Sequence, residues 1–317
     1  MDKIFFTYKI PDEGTLLLRK FDVEVNTEDR FLQKEEIIQR AKDAAALVTL
    51  LSDKVDAEVL ESLPRLKVIA NYAVGYNNID INEARKRGIR VTNTPEVLTD
   101  ATADLTLSLM LATSRRILEA DRFVREHRFV GWKPDLFTGP SLSGKTLGII
   151  GLGRIGKAVA RRAKAFGMNV VYCSRKPLLS NEEEKLDVRY LSLEELLRSS
   201  DFISLHVPLT RETYHLLNEK RLSMIKTGAI LINTARGPIV NETALIESLR
   251  SGRLAAAGLD VYEEEPEVPQ ELIDLCNVVL LPHIGSATKE ARTEMAIMVG
   301  RNVAAVLEGK EPPNPVV

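Results

Sequence analysis

Gly151, Gly153 and Gly156 stand at G-x-G-x-x-G spacing, with Leu152, Arg154 and Ile155 between them. An apolar run, Thr146 to Ile150, leads into the loop, and a helical pattern from Arg154 to Phe166 leaves it. In that setting the first glycine permits the tight turn, the second lets backbone approach a pyrophosphate, and the third lets the helix pack closely on the strand. The helix N-terminus adds unpaired N–H groups and the positive end of its dipole. Strand, loop and helix in this order make Gly151, Gly153, Arg154, Ile155 and Gly156 a dinucleotide-binding loop, where a bare glycine motif would say little.

An acidic residue is expected about twenty residues further on, at the end of the second strand, when the adenosine ribose carries free hydroxyls. This chain has Ser174 there, followed by Arg175 and Lys176. A carboxylate would repel a 2′-phosphate, whereas a hydroxyl, a guanidinium and an ammonium hold it by charge-assisted hydrogen bonds. The sequence therefore favours NADP(H), with NAD(H) possible.

Hydride transfer to a carbonyl carbon needs a proton donor of near-neutral pKa, and the chain has four histidines. His283 follows the last expected strand, at the edge of an open α/β sheet that borders the ligand crevice. Glu263-Glu264-Glu265-Pro266 follows another strand at that edge. A carboxylate from this turn would orient His283 and keep it protonated. Arg236, just past the strand ending in Asn233, could grip a substrate carboxylate through two parallel hydrogen bonds and polarise the carbonyl. His206 also ends a strand, so position alone does not separate it from His283; it reads as structural or cofactor-lining. His127 and His215 read as surface residues, and Glu263 and Glu264 as a solvated acidic turn.

The elements that must position these groups are marked by apolar runs alternating with amphipathic segments, the pattern of a parallel sheet covered by helices. The class is α/β. Expected strands are Lys3 to Tyr8, Ala46 to Leu50, Lys67 to Asn71 and Arg90 to Thr92, then six more: Thr146 to Ile150, Asn169 to Cys173, Phe202 to His206, Ala229 to Asn233, Ala256 to Asp260 and Val278 to Leu281. These six make a doubly wound sheet. One long helix is expected from Asp100 to Glu119, and another from Thr288 to Leu307, free to return to the first domain. At 317 residues two domains are expected.

Composition is globular, with 44% apolar and 28% charged residues and a net charge of −2, which argues against a nucleic-acid or membrane partner. No apolar run suits a membrane span or a signal peptide, and the reading is cytoplasmic. Cys173 and Cys276 are too few for a disulfide framework and lack metal-ligand spacing.

Six ordered motifs give the chain a resemblance to the D-isomer-specific 2-hydroxyacid dehydrogenases, and within them to the glyoxylate/hydroxypyruvate reductases. They are the stretches Ala73 to Asp80, Leu142 to Ile150 with the glycine loop, His206 to Thr210, Ile232 to Gly237, Gly258 to Pro266 and Pro282 to Thr288. The resemblance implies a doubly wound Rossmann domain, residues 97–288, inserted into a smaller flavodoxin-like α/β substrate domain of residues 1–96 and 289–317. It implies a catalytic triad of Arg236, Glu265 and His283, choosing among the three glutamates the one before the proline. Substrate-carboxylate binding falls on the Val74 and Gly75 amides, and cofactor contacts on Thr102, His206, Pro208, Thr234, Asp260 and Gly285. Trp132 resembles the tryptophan that reaches the substrate pocket of the partner subunit in a homodimer. Asn77 departs from the more usual Asp, and Ser174 agrees with the NADPH-preferring reductases.

The expected reaction is reduction of glyoxylate, and of hydroxypyruvate, to the D-2-hydroxyacid between the two domains. D-3-phosphoglycerate, D-lactate and phosphite dehydrogenases share the triad and stay open as alternatives. So does a dinucleotide-sensing corepressor, which would be a binding module.

Overall fold

A computed structural model describes residues 1–317, and the chain divides into two compact units: Met1–Leu98 with Ser286–Val317, and Thr99–Gly285. The resemblance sets the crossings at 96/97 and 288/289, and the units meet at 98/99 and 285/286. Both sheets are parallel throughout.

The first unit holds β1 (Lys3–Phe6), β2 (Asp22–Val25), β3 (Ala44–Thr49), β4 (Val68–Asn71) and β5 (Arg90–Thr92), in the order β2-β1-β3-β4-β5. That is the flavodoxin-like order. All six residues of β3 are buried, as a central strand covered on both faces requires. The helix Lys289–Leu307 starts where Thr288 Oγ1 accepts the Ala291 amide at 3.1 Å, and packs within this unit against the helix Asp12–Leu16. The crossing is close because both contact points are glycines. A Cβ on Gly14 would lie 2.4 Å from the Ala296 carbonyl oxygen, and one on Gly300 2.4 Å from the Gly14 carbonyl oxygen.

The second unit holds β6 (Thr146–Ile150), β7 (Asn169–Cys173), β8 (Val188–Tyr190), β9 (Phe202–Leu205), β10 (Ala229–Asn233), β11 (Leu254–Leu259) and β12 (Val278–Leu280). Their order is β12-β11-β10-β9-β6-β7-β8, a Rossmann sheet extended by one strand, with its topological switch between β6 and β9. Alternate strand residues feed a core on each face. Leu147, Ile149 and Tyr172 pack with Leu107, Met110 and Val159, while Ile150, Val171 and Leu205 pack with Leu196, Leu245 and Leu249.

Three expectations need correction. The sheet has seven strands, not six, because the three-residue edge strand β8 is too short to show a period. β2, another short edge strand that mixes Asp22 and Glu24 with two valines, is absent from the expected strands for the same reason. The single helix expected from Asp100 to Glu119 is two, Thr99–Ser114 and Ile117–Arg125, separated by Arg116 in the left-handed region at φ 53°. No glycine or proline marks this break in the sequence. Gly139 packs against this break, so close that a Cβ there would be 1.9 Å from the Ser114 carbonyl oxygen. No helix of the chain is long and apolar enough to cross a membrane.

Candidate active site

At the switch point β6 and β9 part, and the loops after them press together. Gly151 has φ +98°, and a Cβ there would sit 2.7 Å from the His206 carbonyl carbon and oxygen. Gly156 is as tightly required, since its Cβ would lie 2.2 Å from the Gly151 carbonyl oxygen. A Cβ on exposed Gly153, by contrast, would meet nothing within 4 Å, and Gly153 caps the twelve-residue helix Arg154–Ala165. Two glycines fold the turn, and the third leaves its backbone open at a helix N-terminus, which fits a pyrophosphate. Gly156→Ala is expected to displace the helix start, costing about 1–3 kcal/mol by overpacking. Thermal unfolding beside a dinucleotide titration would check it; wild-type values in both would remove the requirement.

Ser174 begins the turn after β7, where its hydroxyl donates to the Lys176 carbonyl at 2.6 Å; Arg175 and Lys176 are exposed. Tyr172 holds the far side of this turn, accepting the Leu178 amide at 2.7 Å and donating to Glu183 Oε1 at 2.7 Å. Nothing in the sequence marks Tyr172 for this part. Arg175 also lies near enough to Glu212 to help hold that carboxyl below its ordinary range, after the Thr210 hydroxyl and the Glu212 amide.

His206 is partly buried, and its Nε2 meets Ser204 Oγ at 2.8 Å. Burial pushes its imidazole down to about 3, so the ring is neutral at physiological pH and cannot be the resting proton donor. Thr102 is buried beside Gly285, and Thr234 Oγ1 meets Thr106 Oγ1 at 2.9 Å beneath the end of β10.

Arg236, Glu265 and His283 all follow strands of this same sheet, β10, β11 and β12. His283 Nδ1 donates to Glu265 Oε2 at 2.7 Å, and Glu265 Oε1 accepts the Tyr262 amide at 3.1 Å. Burial pushes the Glu265 carboxyl up, but the hydrogen bond and charge of His283, the Tyr262 amide and Arg236 outweigh it, so the group stays below its ordinary value and ionised. Burial also lowers the Arg236 guanidinium, and the nearby Glu265 charge opposes that. His283 has φ 54°, a left-handed backbone rare for histidine. Asp260 explains how it is held. Its two carboxylate oxygens take the Ile284 amide at 2.7 Å and the Gly285 amide at 2.8 Å, which ties the histidine loop to the end of β11. Desolvation raises the Asp260 carboxyl, opposed by those amides and by His283. An imidazole so fixed, with Nδ1 committed to a carboxylate, can present a proton on Nε2.

In the first unit the loop after β4 has its carbonyls tied one by one. The Thr94 amide bonds the Ala73 carbonyl at 2.8 Å, Asn93 Nδ2 the Val74 carbonyl at 2.7 Å and Asn71 Nδ2 the Gly75 carbonyl at 2.8 Å. The Val74 and Gly75 amides donate to no acceptor of the chain. Successive free amides are groups that can donate to an anion. Trp132 lies on a loop of the second unit and is 81% exposed.

His215 and Glu263 are not the solvated surface groups expected. His215 Nε2 and Glu263 Oε1 lie 2.5 Å apart, with about a quarter and a fifth of their side chains exposed, at 25% and 20%. The partners are 48 residues apart, so no local pattern could reveal them.

The sequence model of the D-isomer specific 2-hydroxyacid dehydrogenase NAD binding domain matches residues 107–285, most of the second unit. The chain belongs to the D-isomer-specific 2-hydroxyacid dehydrogenases. As a 2-hydroxyacid dehydrogenase it uses a nicotinamide dinucleotide, and the glycine loop fits one. It is 54% identical to a glyoxylate reductase of Thermococcus litoralis, over 98% of this chain and 96% of that one. Among solved structures, a Thermus thermophilus protein superposes with a TM-score of 0.92 at 49% identity, covering 99% of this chain and all, 100%, of the other. An NADPH-dependent glyoxylate/hydroxypyruvate reductase from Sinorhizobium meliloti, in complex with NADP and malonate, superposes with a TM-score of 0.88 at 34% identity, covering 100% and 97%.

Proposed function

We propose that this dehydrogenase reduces glyoxylate, and hydroxypyruvate with it, taking NADPH in preference to NADH. The observation that carries the reading is the His283–Glu265 pair at 2.7 Å, beside Arg236 at the carboxyl edge of the dinucleotide sheet. Likeness to glyoxylate reductases over nearly the whole chain supports the substrate class.

The bound cofactor supplies the hydride. Gly151, Gly153, Arg154, Ile155 and Gly156 hold its pyrophosphate, Ser174, Arg175 and Lys176 its 2′-phosphate, and Thr102, His206, Pro208, Thr234, Asp260 and Gly285 line it. Arg236 binds the substrate carboxylate and polarises the adjacent carbonyl. Glu265 holds the His283 ring through Nδ1, and His283 Nε2 gives a proton to the carbonyl oxygen as the alcohol forms. The chain's part is thus to orient the 2-oxoacid and to protonate one oxygen.

The exposed apolar side chains Ile117, Leu118 and Val124 of the helix Ile117–Arg125, with Phe129, Val130 and Trp132 after it, support a homodimer with Trp132 reaching the partner's substrate pocket. The free thiols Cys173 and Cys276 agree with a reducing, cytoplasmic setting.

Rates of NADPH oxidation with glyoxylate, hydroxypyruvate, pyruvate and 3-phosphohydroxypyruvate test the proposal. Glyoxylate and hydroxypyruvate are expected to lead. A strong preference for the phosphorylated acid would replace the substrate, and no oxidation with any of the four would make the chain a binding module. For the cofactor, Ser174→Asp sets a carboxylate against the 2′-phosphate and is expected to weaken NADPH binding by about 1.5–3 kcal/mol, roughly ten- to a hundred-fold, while sparing NADH. Fluorescence titration reads both affinities; equal loss for the two would refute the basic turn as a phosphate site.

A further inference from the structure

Two histidine–carboxylate pairs flank one turn. His283 bonds Glu265, and two residues earlier Glu263 bonds His215. Glu263 Oε1 lies 2.5 Å from His215 Nε2, its Oε2 accepts the Glu242 amide at 3.0 Å, and its own amide donates to Glu242 Oε1 at 3.3 Å. The turn is therefore fastened to the start of the helix Glu242–Arg250.

His215 is itself fixed on every side. Its ring stacks on Tyr214 with centroids 4.1 Å apart. Asn241 Oδ1 caps that helix by accepting the Ala244 amide at 2.9 Å, so Asn241 Nδ2 faces His215 Nδ1, at 3.3 Å. An amide donor on Nδ1 leaves the ring proton on Nε2, where it donates to Glu263. Glu242 and Glu264 are charged groups beside the pair; burial raises the Glu242 carboxyl, the Glu263 amide opposes that, and the charges of Glu263 and Glu264 add to the rise.

The backbone of the same segment holds the other catalytic loop. His215 donates its amide to the Pro238 carbonyl at 2.8 Å, and Leu217 donates to the Ile239 carbonyl at 3.0 Å. Pro238 and Ile239 lie in the short 3-10 turn Gly237–Ile239 that directly follows Arg236. Gly237 in turn lies flush on the glutamate turn: a Cβ there would be 1.8 Å from the Tyr262 carbonyl oxygen and 2.5 Å from the Glu263 amide nitrogen. Tyr262 gives its amide to Glu265.

We infer that His215 is a positioning residue, which fixes the Arg236 loop by its main chain and the Glu265 turn by its ring, and so sets the geometry of the Arg236–Glu265–His283 group. This rests on the triad proposed above. Through Glu263 it limits how far the Glu265 carboxylate can move from His283 Nδ1. A displacement of the order of 1 Å in such a group is enough to cost about a hundred-fold.

The test compares His215→Phe, His215→Gln, Glu263→Ala and the double variant His215→Phe/Glu263→Ala with the wild type in full-length enzyme. Phe keeps the stack on Tyr214 and removes the Nε2 donor; Gln keeps a donor at that reach. His215→Phe is expected to lower kcat about ten- to a hundred-fold with NADPH affinity unchanged, because no residue of the cofactor loops is touched. Gln is expected to recover most of the loss. The double variant is expected to be no slower than the worse single variant, since both remove one interaction. Thermal unfolding of each variant separates this from destabilisation: Gln and Phe unfolding alike while differing in kcat supports positioning. The inference is overturned if kcat is unchanged in Phe, if Gln is as slow as Phe, or if the two losses multiply. Wild-type kinetics and His283→Ala run in parallel, so that failure of the triad assignment shows as a normal rate in that variant.

Discussion

His283→Ala is expected to lower the rate of 2-oxoacid reduction by about 10²- to 10⁴-fold, the span associated with loss of a general acid, and to leave NADPH affinity at the wild-type level. The expectation comes from the contacts of the ring. Nδ1 is committed to Glu265 at 2.7 Å, and the loop backbone is held separately, by Asp260 through the Ile284 and Gly285 amides. The loop should therefore survive removal of the imidazole. Because His283 sits at φ 54°, His283→Asn is the better-matched companion, as asparagine tolerates the left-handed region. Steady-state kinetics with both variants, beside a dinucleotide titration, give the answer. Near-normal turnover in both would remove His283 from the reaction. Normal stability with lost NADPH binding would instead make it a cofactor residue.

Arg236→Lys is the second large effect, although it keeps the charge. A planar guanidinium meets a carboxylate with two parallel hydrogen bonds, which an ammonium cannot reproduce. Arg236 is also placed for that geometry from within its own loop: its Nη1 donates to the Ala235 carbonyl at 2.6 Å, and Asn233 Nδ2 bonds the Arg236 carbonyl at 3.0 Å. Burial already lowers the guanidinium, and a lysine in its place would bear the same desolvation with fewer donors to offset it. We expect kcat/KM for glyoxylate to drop about 10²- to 10³-fold, the loss typical of one preorganised electrostatic donor. The loss should appear in kcat as well as KM, because the same group polarises the carbonyl. A change confined to KM would reduce Arg236 to an anchor, and no change would exclude it.

Arg236 and His283 stand out in the sequence because each sits just past a strand that announces itself, whereas the strand before Glu263, Glu264 and Glu265 leaves the choice among them to the resemblance. Asn233, Leu259 and Leu280 close apolar runs, and the loop after such a run in a doubly wound sheet lies at the ligand edge. The glycine loop is legible for the same reason, its order of strand, turn and helix being local. Features made by tertiary contact are not. The break at Arg116 carries no glycine or proline, and the close approach of Gly139 to the Ser114 carbonyl beside it comes from residues far along the chain. The loop after β4 has carbonyls tied down by Asn93 and Thr94 from another strand end. Glu263 and His215 read as solvated because each stands among polar neighbours; only the fold brings them together over 48 residues. Edge strands β2 and β8, four and three residues long, are too brief for any period to rise above their charged side chains.

The most direct test is to mix the enzyme with NADPH and glyoxylate and to quantify both cofactor consumed and glycolate formed. One glycolate for each NADPH oxidised is the predicted result. NADPH that binds but is never consumed would contradict the proposed reaction.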